Sequence, residues 1–220
     1  MDFIPRRENH DRKVVDEAIQ INSAEGGAQG GRKTMGVSPW KFINLKNQKD
    51  LIREVIVFPL KVNRDASGIL VETLKIDWPE VYSQNRPFAQ NYYSVTPPGV
   101  ARDERMWHQH PNQEDRFAVI SGDIIVAIYD WRKESPTYGS LNLFKMGESE
   151  GDSGQYLLLI PKNTLHSFCV VSPKPAALLN FPTLLYNPKE EGRVAHSEVS
   201  AKFSDGQVFS WDLVKKTFTL

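Results

Sequence analysis

The sequence has little cysteine, no long apolar run and no excess charge of either sign, and each absence excludes a class of protein. Cys169 is the single cysteine in 220 residues, so the chain cannot form an internal disulfide. Lysine plus arginine and aspartate plus glutamate balance at 27 each, unlike proteins that bind nucleic acid through its phosphates. The apolar runs, such as YLLLI at 156–160, are far shorter than the ~20 residues of a membrane-spanning helix.

Composition also indicates where the chain folds and in which compartment it acts. Hydrophobic residues make up 40% of the sequence and aromatic residues 10%, which is enough for a buried core. The first residues, MDFIPRRENHDRK, carry charges where a secretory signal would have an apolar segment. We therefore expect a folded protein of the cytoplasm, with neither nucleic-acid nor membrane partners.

A change of composition near residue 40 divides the chain into two parts. Residues 22–36, NSAEGGAQGGRKTMG, are polar and rich in glycine, which is typical of a linker. Residues 11–21 have the apolar spacing of a short amphipathic helix. We predict that residues 1–45 form an N-terminal arm, flexible or dependent on a partner for its order, and that residues 46–220 form one domain.

From residue 53 onward the pattern is that of an all-β protein. Short runs rich in Val, Ile, Leu, Phe and Tyr alternate with Pro, Gly, Asn and Asp, which predicts strands joined by turns. Nine strands at this spacing indicate a sandwich or barrel: 53–60, 69–76, 88–95, 116–121, 123–130, 141–146, 155–161, 167–172 and 177–184. Residues 186–200 are predicted to form a polar loop or short helical turn, with a solvated charged run at 189–193. Residues 209–214 fit either a strand or a helix.

Two segments place histidines where they can converge. In RMWHQHPNQEDRFAVISGD, at 105–123, the side chains of His108 and His110 share one face of an extended segment because strand side chains alternate. Asp115 lies on one face of the following predicted strand, and the neighbouring Glu114 lies on the other. Further along, PKNTLH at 161–166 brings His166 after a buried strand. These segments resemble the two motifs of the cupin barrels, with Asn163 at the usual glycine of the second motif.

The cupin resemblance implies a fold and a possible metal site. The implied fold is an all-β cupin jelly-roll barrel, here with an N-terminal extension. In cupins that hold a metal, the positions matching His108, His110, Asp115 and His166 supply the ligands. Imidazole and carboxylate groups suit Fe, Mn, Ni, Zn or Cu, and the spacing does not choose among these divalent metals. The alternative is that the histidines line a polar pocket without metal.

A second resemblance concerns the substrate class. The segment DWRKESPTYG at 130–139 closely resembles the D-x-R-x-x-S-P-T-F-G run of the dTDP-4-dehydrorhamnose 3,5-epimerases. Four further segments are similar to motifs of that family and follow in the same order: RDASGILVETL at 64–74, FAQNYYS at 88–94, IPKNTLHSF at 160–168 and YNPKEEG at 186–192. The resemblance implies a jelly roll that is usually a homodimer sharing strands across its interface.

That family moves a proton beside a ketone, using a histidine base with a supporting carboxylate, a tyrosine acid and a lysine facing the enolate. His108, three residues after Arg105, matches the base, and Glu198 falls at the supporting carboxylate. The catalytic residues implied by the resemblance are therefore His108 and Glu198. Candidate substrate contacts are Gln90, Tyr92, Arg105, Arg116 and Asn180.

Three positions depart from the family pattern. Asp115 stands at the lysine, Asn180 at the tyrosine, and Ala66 at an arginine that meets the nucleotide diphosphate. An acid facing an enolate would repel its charge, whereas a bound cation at Asp115 could polarise the ketone instead.

The function implied is therefore an epimerase or isomerase that acts on a keto-sugar nucleotide, by the mechanism of the family or in a divergent or metal-assisted way. Related 3,4-ketoisomerases also show R-x-x-H-x-H, so a metal-free isomerase of another type fits as well. The remaining alternatives are a metal-dependent cupin isomerase or dioxygenase acting on a small carbonyl compound, and a carbohydrate-binding cupin without activity.

Overall fold

A computed structural model describes residues 40–218 of the chain, so the predicted helix at 11–21 and most of the predicted arm lie outside the described residues. Strands dominate, as expected for an all-β protein. They are β1 (Ile56–Pro59), β2 (Val62–Asp65), β3 (Gly68–Val71), β4 (Tyr92–Thr96), β5 (Met106–Gln109), β6 (Asp115–Ser121), β7 (Asp123–Tyr129), β8 (Leu141–Gly147), β9 (Tyr156–Ile160), β10 (Leu165–Val170), β11 (Ala176–Asn180) and β12 (Gly192–Ala195). Two 3₁₀ segments (Glu148–Gly154 and His196–Glu198) and the helix α1 (Trp211–Phe218) complete the fold. Among the described helices, none has the length and apolar content needed to cross a membrane.

The strands form two antiparallel sheets of five strands and a separate hairpin of β2 and β3. Sheet 1 has the order β1-β9-β6-β11-β4, and sheet 2 has the order β12-β5-β10-β7-β8. Apolar side chains from β6, β7, β9 and β10 meet in one buried core, which includes Phe117, Val126, Leu158 and Phe168. The two sheets therefore face each other across this core, as in a sandwich of packed sheets.

The outer face of each sheet is covered as well. On sheet 2, Trp107 packs against Phe209, with ring centroids 4.8 Å apart, and the C-terminal residues Trp211 and Val214 join the same cluster. Sheet 1 is covered by a third buried cluster, which consists of Leu60, Val81, Ala118, Leu157, Leu159 and Phe181. Strands with both faces covered read as continuous apolar runs, which explains sequences such as DIIVAIY in β7.

Each of the nine predicted strands overlaps a strand of the structure, although the strand predicted at 69–76 ends at Val71. The prediction for 186–200 is wrong in part, because residues 192–195 form β12 before a 3₁₀ turn. β12 pairs with β5 at the edge of sheet 2, so it lacks the apolar pattern of a central strand. The sequence left residues 209–214 open between a strand and a helix, and the structure has the helix α1 at Trp211–Phe218.

The predicted limit of the arm at residue 45 is too late in the chain. Trp40 is buried and stacks on Phe203 with ring centroids 3.9 Å apart. Ile43 is also buried, and its backbone N–H donates to Leu143 O over 2.7 Å. Residues 40–45 are thus part of the folded domain, because an indole and an isoleucine side chain gain from burial. The polar, glycine-rich composition on which the limit was based ends at Gly36.

Candidate functional site

A cavity of about 470 Å³ opens between the two sheets and contains most of the predicted site residues. Its lining includes His108, His110, Asp115, His166 and Asn180. A second cavity of about 700 Å³ shares His108, His110, Tyr92, Tyr186 and Glu191 with the first, so the two adjoin. Below, the first is the inner cavity and the second the outer cavity. Both volumes fall in the usual range for small-molecule sites, roughly 300–1,000 Å³.

Strand pairing brings residues that are distant in sequence to the inner cavity. His108 on β5 lies opposite His166 on β10, and Asn180 on β11 lies opposite Tyr92 on β4. Asp115 begins β6, which also pairs with β11. His110 directly follows β5 and continues its alternation, so His108 and His110 reach the same cavity, as their spacing predicts.

Three of the four predicted metal ligands form a compact cluster. One donor atom from each of His110, Asp115 and His166 lies within 4.8 Å of the other two. Asp115 Oδ2 is 3.4 Å from His110 Nε2 and 3.3 Å from His166 Nε2. The other carboxylate oxygen, Oδ1, accepts hydrogen bonds from Gln113 Nε2 over 2.8 Å and from Asn180 Nδ2 over 2.9 Å.

These neighbours keep the Asp115 carboxylate ionised although it is fully buried. Burial by itself raises the pKa of Asp115, but the nearby His166 and His110 imidazoles and the Asn180 amide together lower it to about 2. Burial lowers the pKa of His110, and the nearby Asp115 opposes that change. The cluster therefore presents one carboxylate and two imidazoles to the inner cavity.

The group of donor atoms within 4.8 Å of one another does not include His108, whereas the prediction had four converging ligands. The ring centroid of His108 is 6.0 Å from that of His166 and 6.4 Å from that of His110. Its Nε2 makes a short contact with the Asp103 carboxylate, and its Nδ1 is 3.2 Å from Glu191 Oε1. Both ring nitrogens thus face carboxylates.

The pKa of His108 reflects opposing influences. Burial and the charge of His166 lower the pKa of His108, while Asp103 and Glu191 raise it, and the net direction is downward. A histidine whose pKa lies below its usual value of about 6.5 is neutral at pH 7 and can accept a proton.

The sequence interpretation assigned the supporting carboxylate to Glu198, which is wrong. Glu198 is exposed in the 3₁₀ turn after β12, and its carboxylate accepts a hydrogen bond from the Ala195 backbone N–H over 3.3 Å. It lines neither cavity. The count along the sequence fails because the short strand β12 carries residues 192–195 along β5 and the following turn leaves Glu198 at the surface.

Two other acids, Asp103 and Glu191, occupy the place expected for Glu198. Asp103 lies in the loop before β5 with a positive φ of 51°, a conformation that alternation along a strand does not anticipate. Glu191 belongs to the YNPKEEG motif at 186–192, so a sequence signal for it was present, but the run 189–193 was interpreted as solvated. That interpretation is wrong for Glu191, whose side chain is only 14% exposed. Its Oε1 accepts a hydrogen bond from Arg193 Nη2 over 2.9 Å.

Of the predicted substrate contacts, the two arginines do not reach the inner cavity. Arg116 is fully buried, and its guanidinium donates to backbone carbonyls on the outer side of sheet 1, including Phe181 O over 2.6 Å. It follows Asp115 in β6, so alternation sends its side chain away from the cavity. Arg105 is exposed and lines a different cavity, next to His196 and Trp211.

The remaining predicted contacts are at the site. Asn180 Nδ2 donates to Tyr92 Oη over 2.8 Å, so these two side chains are coupled across β11 and β4. Burial and the Asp115 charge raise the pKa of Tyr92, which keeps its phenol protonated. Gln90 lines the outer cavity, where its amide donates to Leu184 O over 3.4 Å.

The turn between β9 and β10 fixes the segment that carries His110. Asn163 in this turn has a positive φ of 61°, which explains why asparagine can stand at the glycine of the cupin motif. Its backbone N–H donates to His110 O over 2.9 Å and its side-chain amide donates to Pro111 O over 3.3 Å. The second motif therefore holds the first motif in place through hydrogen bonds.

Comparison with known proteins identifies the family. The family model described as dTDP-4-dehydrorhamnose 3,5-epimerase matches residues 49–210. This chain belongs to the dTDP-4-dehydrorhamnose 3,5-epimerase family. The resemblance of the sequence segments is thereby confirmed, and so is the expectation of an enzyme of the epimerase type. The dioxygenase and non-catalytic alternatives are not favoured by any of the similar proteins.

Relatives of the epimerase family match most of the folded domain. The probable low-salt glycan biosynthesis epimerase Agl13 of Haloferax volcanii is 40% identical over 144 residues, which cover 64% of this chain and 86% of that protein. The spore coat polysaccharide biosynthesis protein SpsL of Bacillus subtilis is 34% identical over 140 residues, covering 64% of this chain and 85% of the relative. The crystal structure of a dTDP sugar isomerase from Desulfovibrio desulfuricans has a TM-score of 0.61 and 25% identity, covering 73% of this chain and 92% of that one. The predicted cupin jelly roll of this family is confirmed.

Proposed function

We propose that the protein inverts a carbon next to the ketone of a keto-sugar nucleotide of the dTDP-sugar class. The observation that carries this proposal is that His108 on sheet 2 and Tyr92 with Asn180 on sheet 1 line opposite walls of the inner cavity. Epimerisation requires a proton to leave one face of the sugar and to return on the other. A base and an acid on facing sheets suit that requirement.

His108 is the base in this proposal. Asp103 holds Nε2 through the short contact, so the imidazole is oriented by a carboxylate as in other histidine bases. The Nδ1 contact with Glu191 is 3.2 Å long, which exceeds the 2.7–2.9 Å typical of a charge-assisted hydrogen bond. Nδ1 is therefore the nitrogen that can exchange its partner for the substrate and take up the proton.

Tyr92 is the acid. Because Asn180 donates to Tyr92 Oη, the phenol retains its own hydrogen for donation into the cavity. Asn180 stands where the sequence resemblance expects a tyrosine, and Tyr92 is its direct partner on the neighbouring strand. A phenol is thus supplied to the same cavity from β4 instead of β11.

The charges of the cavities favour one path for the diphosphate. Arg102 and Arg193 line the inner cavity, whereas no lysine or arginine is among the described residues that line the outer cavity, which carries Glu190 and Glu191. An anionic diphosphate would be repelled at the two glutamates and attracted at the side of Arg102. The names of the two relatives, in glycan and polysaccharide biosynthesis, support a sugar substrate.

Deuterium uptake from D₂O tests this function. With a dTDP-linked 4-keto-6-deoxyhexose as substrate, NMR should show exchange at a carbon next to the ketone. His108→Gln should slow the exchange by about 10²-fold or more, as expected when a general base is lost. Asp103→Asn should also slow it, because the imidazole loses its orienting carboxylate.

Glu198→Gln is the matched control, since Glu198 is an exposed acid outside both cavities. We expect it to keep the exchange rate within about twofold of wild type, as for surface substitutions away from special features. A wild-type rate for His108→Gln, or no exchange by the unaltered protein with any dTDP-linked keto sugar, contradicts the proposal.

We also propose that the protein is a homodimer of the cytoplasm. Sheet 1 ends in the edge strand β4, where Tyr93 is 69% and Val95 57% exposed, and Ile120 nearby on β6 is 53% exposed. An apolar patch beside an unpaired strand edge is the kind of surface that a second copy covers. The free and buried Cys169 supports a reducing compartment.

A further inference from the structure

We propose that His110, Asp115 and His166 bind one divalent transition metal ion at the inner cavity, and that His108 is not a ligand. The binding site stands on the geometry of these three residues alone. A catalytic role for the ion, described below, rests in addition on the proposed epimerase function.

The spacing of the donor atoms fits a metal better than direct hydrogen bonds. Asp115 Oδ2 is 3.4 Å from His110 Nε2 and 3.3 Å from His166 Nε2. Charge-assisted N–H···O bonds are usually about 2.7–2.9 Å long, so both contacts are too long to be strong. Two donors that share a tetrahedral metal with bonds of about 2.0–2.1 Å lie about 3.3–3.4 Å apart, which matches both distances.

The surroundings of Asp115 leave one oxygen for a metal. Its Oδ1 already accepts hydrogen bonds from Gln113 and Asn180, so the carboxylate is held in place and Oδ2 points to the two imidazoles. Hydrogen-bonded ligands of this kind are typical around protein-bound metals. On His166, Nε2 is the ring nitrogen that faces Asp115, while the buried Nδ1 has no hydrogen-bond partner among the described residues.

Three protein ligands leave at least one coordination position free, as catalytic metal sites do. The three residues line the inner cavity, so that position faces the place where the sugar ketone would bind. When His108 removes the proton, the electron pair of the C–H bond moves onto the ketone oxygen, and it returns when Tyr92 protonates the other face. Of the two arginines at this cavity, Arg193 already pairs with Asp103 and Glu191, and Arg102 is the one assigned above to the diphosphate. A cation at the cluster would therefore supply the positive charge that the ketone oxygen needs.

Metal content of the full-length, untagged protein, purified without chelator, tests the site directly. We expect elemental analysis to find close to one equivalent of a transition metal, or to find it after incubation with Zn²⁺ or Co²⁺ and removal of the excess. His110→Gln and Asp115→Asn should weaken Co²⁺ binding by about 100-fold or more, since each removes a ligand. The matched control is His108→Gln, which removes a histidine from the same cavity and should keep the full equivalent.

Circular dichroism and thermal melting establish that each variant is folded, and His110→Gln serves if Asp115→Asn does not fold. The proposal is overturned if the unaltered protein binds less than about a tenth of an equivalent of every metal ion offered. The ions to offer in turn are Fe²⁺, Mn²⁺, Ni²⁺, Zn²⁺, Co²⁺ and Cu²⁺. Loss of the metal in His108→Gln overturns the three-ligand set. If the metal-free protein catalyses deuterium exchange, the proposed function stands and the catalytic role of the metal is removed. If the protein binds metal but catalyses no exchange, the metal site stands and the proposed function is removed.

Discussion

Arg116 offers a sharp test of how the fold uses a charged residue that the sequence interpretation assigned to the substrate. The guanidinium is fully buried on the outer side of sheet 1. It donates to five backbone carbonyls: Phe181 at 2.6 Å, Pro87 at 2.8 Å, Val81 at 2.9 Å, Arg86 at 3.2 Å and Pro182 at 3.5 Å. These carbonyls belong to loops at 81–87 and 181–182, so Arg116 ties two loops to β6.

Arg116→Met keeps an unbranched side chain about as long as the aliphatic part of arginine and removes all of its donors. The three shortest bonds, at 2.6–2.9 Å, are those whose loss matters most. A buried carbonyl left without a donor costs about 1–3 kcal/mol, so the variant should lose about 3–5 kcal/mol of unfolding free energy. Domains are typically stable by only about 5–15 kcal/mol, so this is a large fraction of the total.

Urea unfolding followed by tryptophan fluorescence measures this loss. With a slope of about 2 kcal/mol per M of urea, the midpoint should fall by about 1.5–2.5 M. Arg105→Met is the matched control, because Arg105 is exposed, and its midpoint should change by less than about 0.3 M. The reasoning is refuted if Arg116→Met is as stable as the control while the KM for a keto-sugar nucleotide rises, since Arg116 would then bind the ligand.

Two further predictions concern acid stability and assembly. The Asp130 carboxylate is buried; burial raises the pKa of Asp130, but hydrogen bonds from Arg132, Ser135 and Thr137 outweigh this and lower it from 3.8 to about 2. The lower pKa of Asp130 corresponds to about 2 kcal/mol of unfolding free energy, which is present above pH 4 and lost as the pH falls toward 2. The urea midpoint of the wild type should therefore drop over that interval, and the midpoint of Asp130→Asn should drop less. Light scattering should show a dimer for the wild type and a monomer when Tyr93 and Val95 are both replaced by lysine, and a wild-type monomer at high concentration would rule the dimer out.

The sequence was sufficient for the strands whose apolar residues recur in short runs. β6, β7 and β9 are buried over most of their length, so most of their side chains are apolar whichever face they occupy. β12 was missed because an edge strand with half-exposed residues carries no such signal. The predicted arm extended too far because a few apolar residues, beginning at Trp40, follow the polar segment closely.

Alternation along a strand is a local property, and it sufficed to bring His108 and His110 to one cavity. The convergence of Asp115 and His166 with His110 was expected from the cupin motifs, and the structure brings those three together. Sequence spacing did not identify the partners of His108, although Glu191 lies in the YNPKEEG motif. Asp103 reaches the imidazole from a loop with left-handed backbone, and Glu191 reaches it from the approach to β12.

The sequence by itself determined the all-β fold, the family and the set of histidines, because each depends on periodicity or on motifs within short segments. Only the tertiary structure decided which carboxylates hold His108, that Arg116 serves the fold, and that Tyr92 supplies the phenol next to Asn180. Those contacts join residues from about 5 to 88 positions apart through strand register and loop conformation. Register and loop conformation are fixed by the packing of both sheets together, so no local pattern in the chain encodes them.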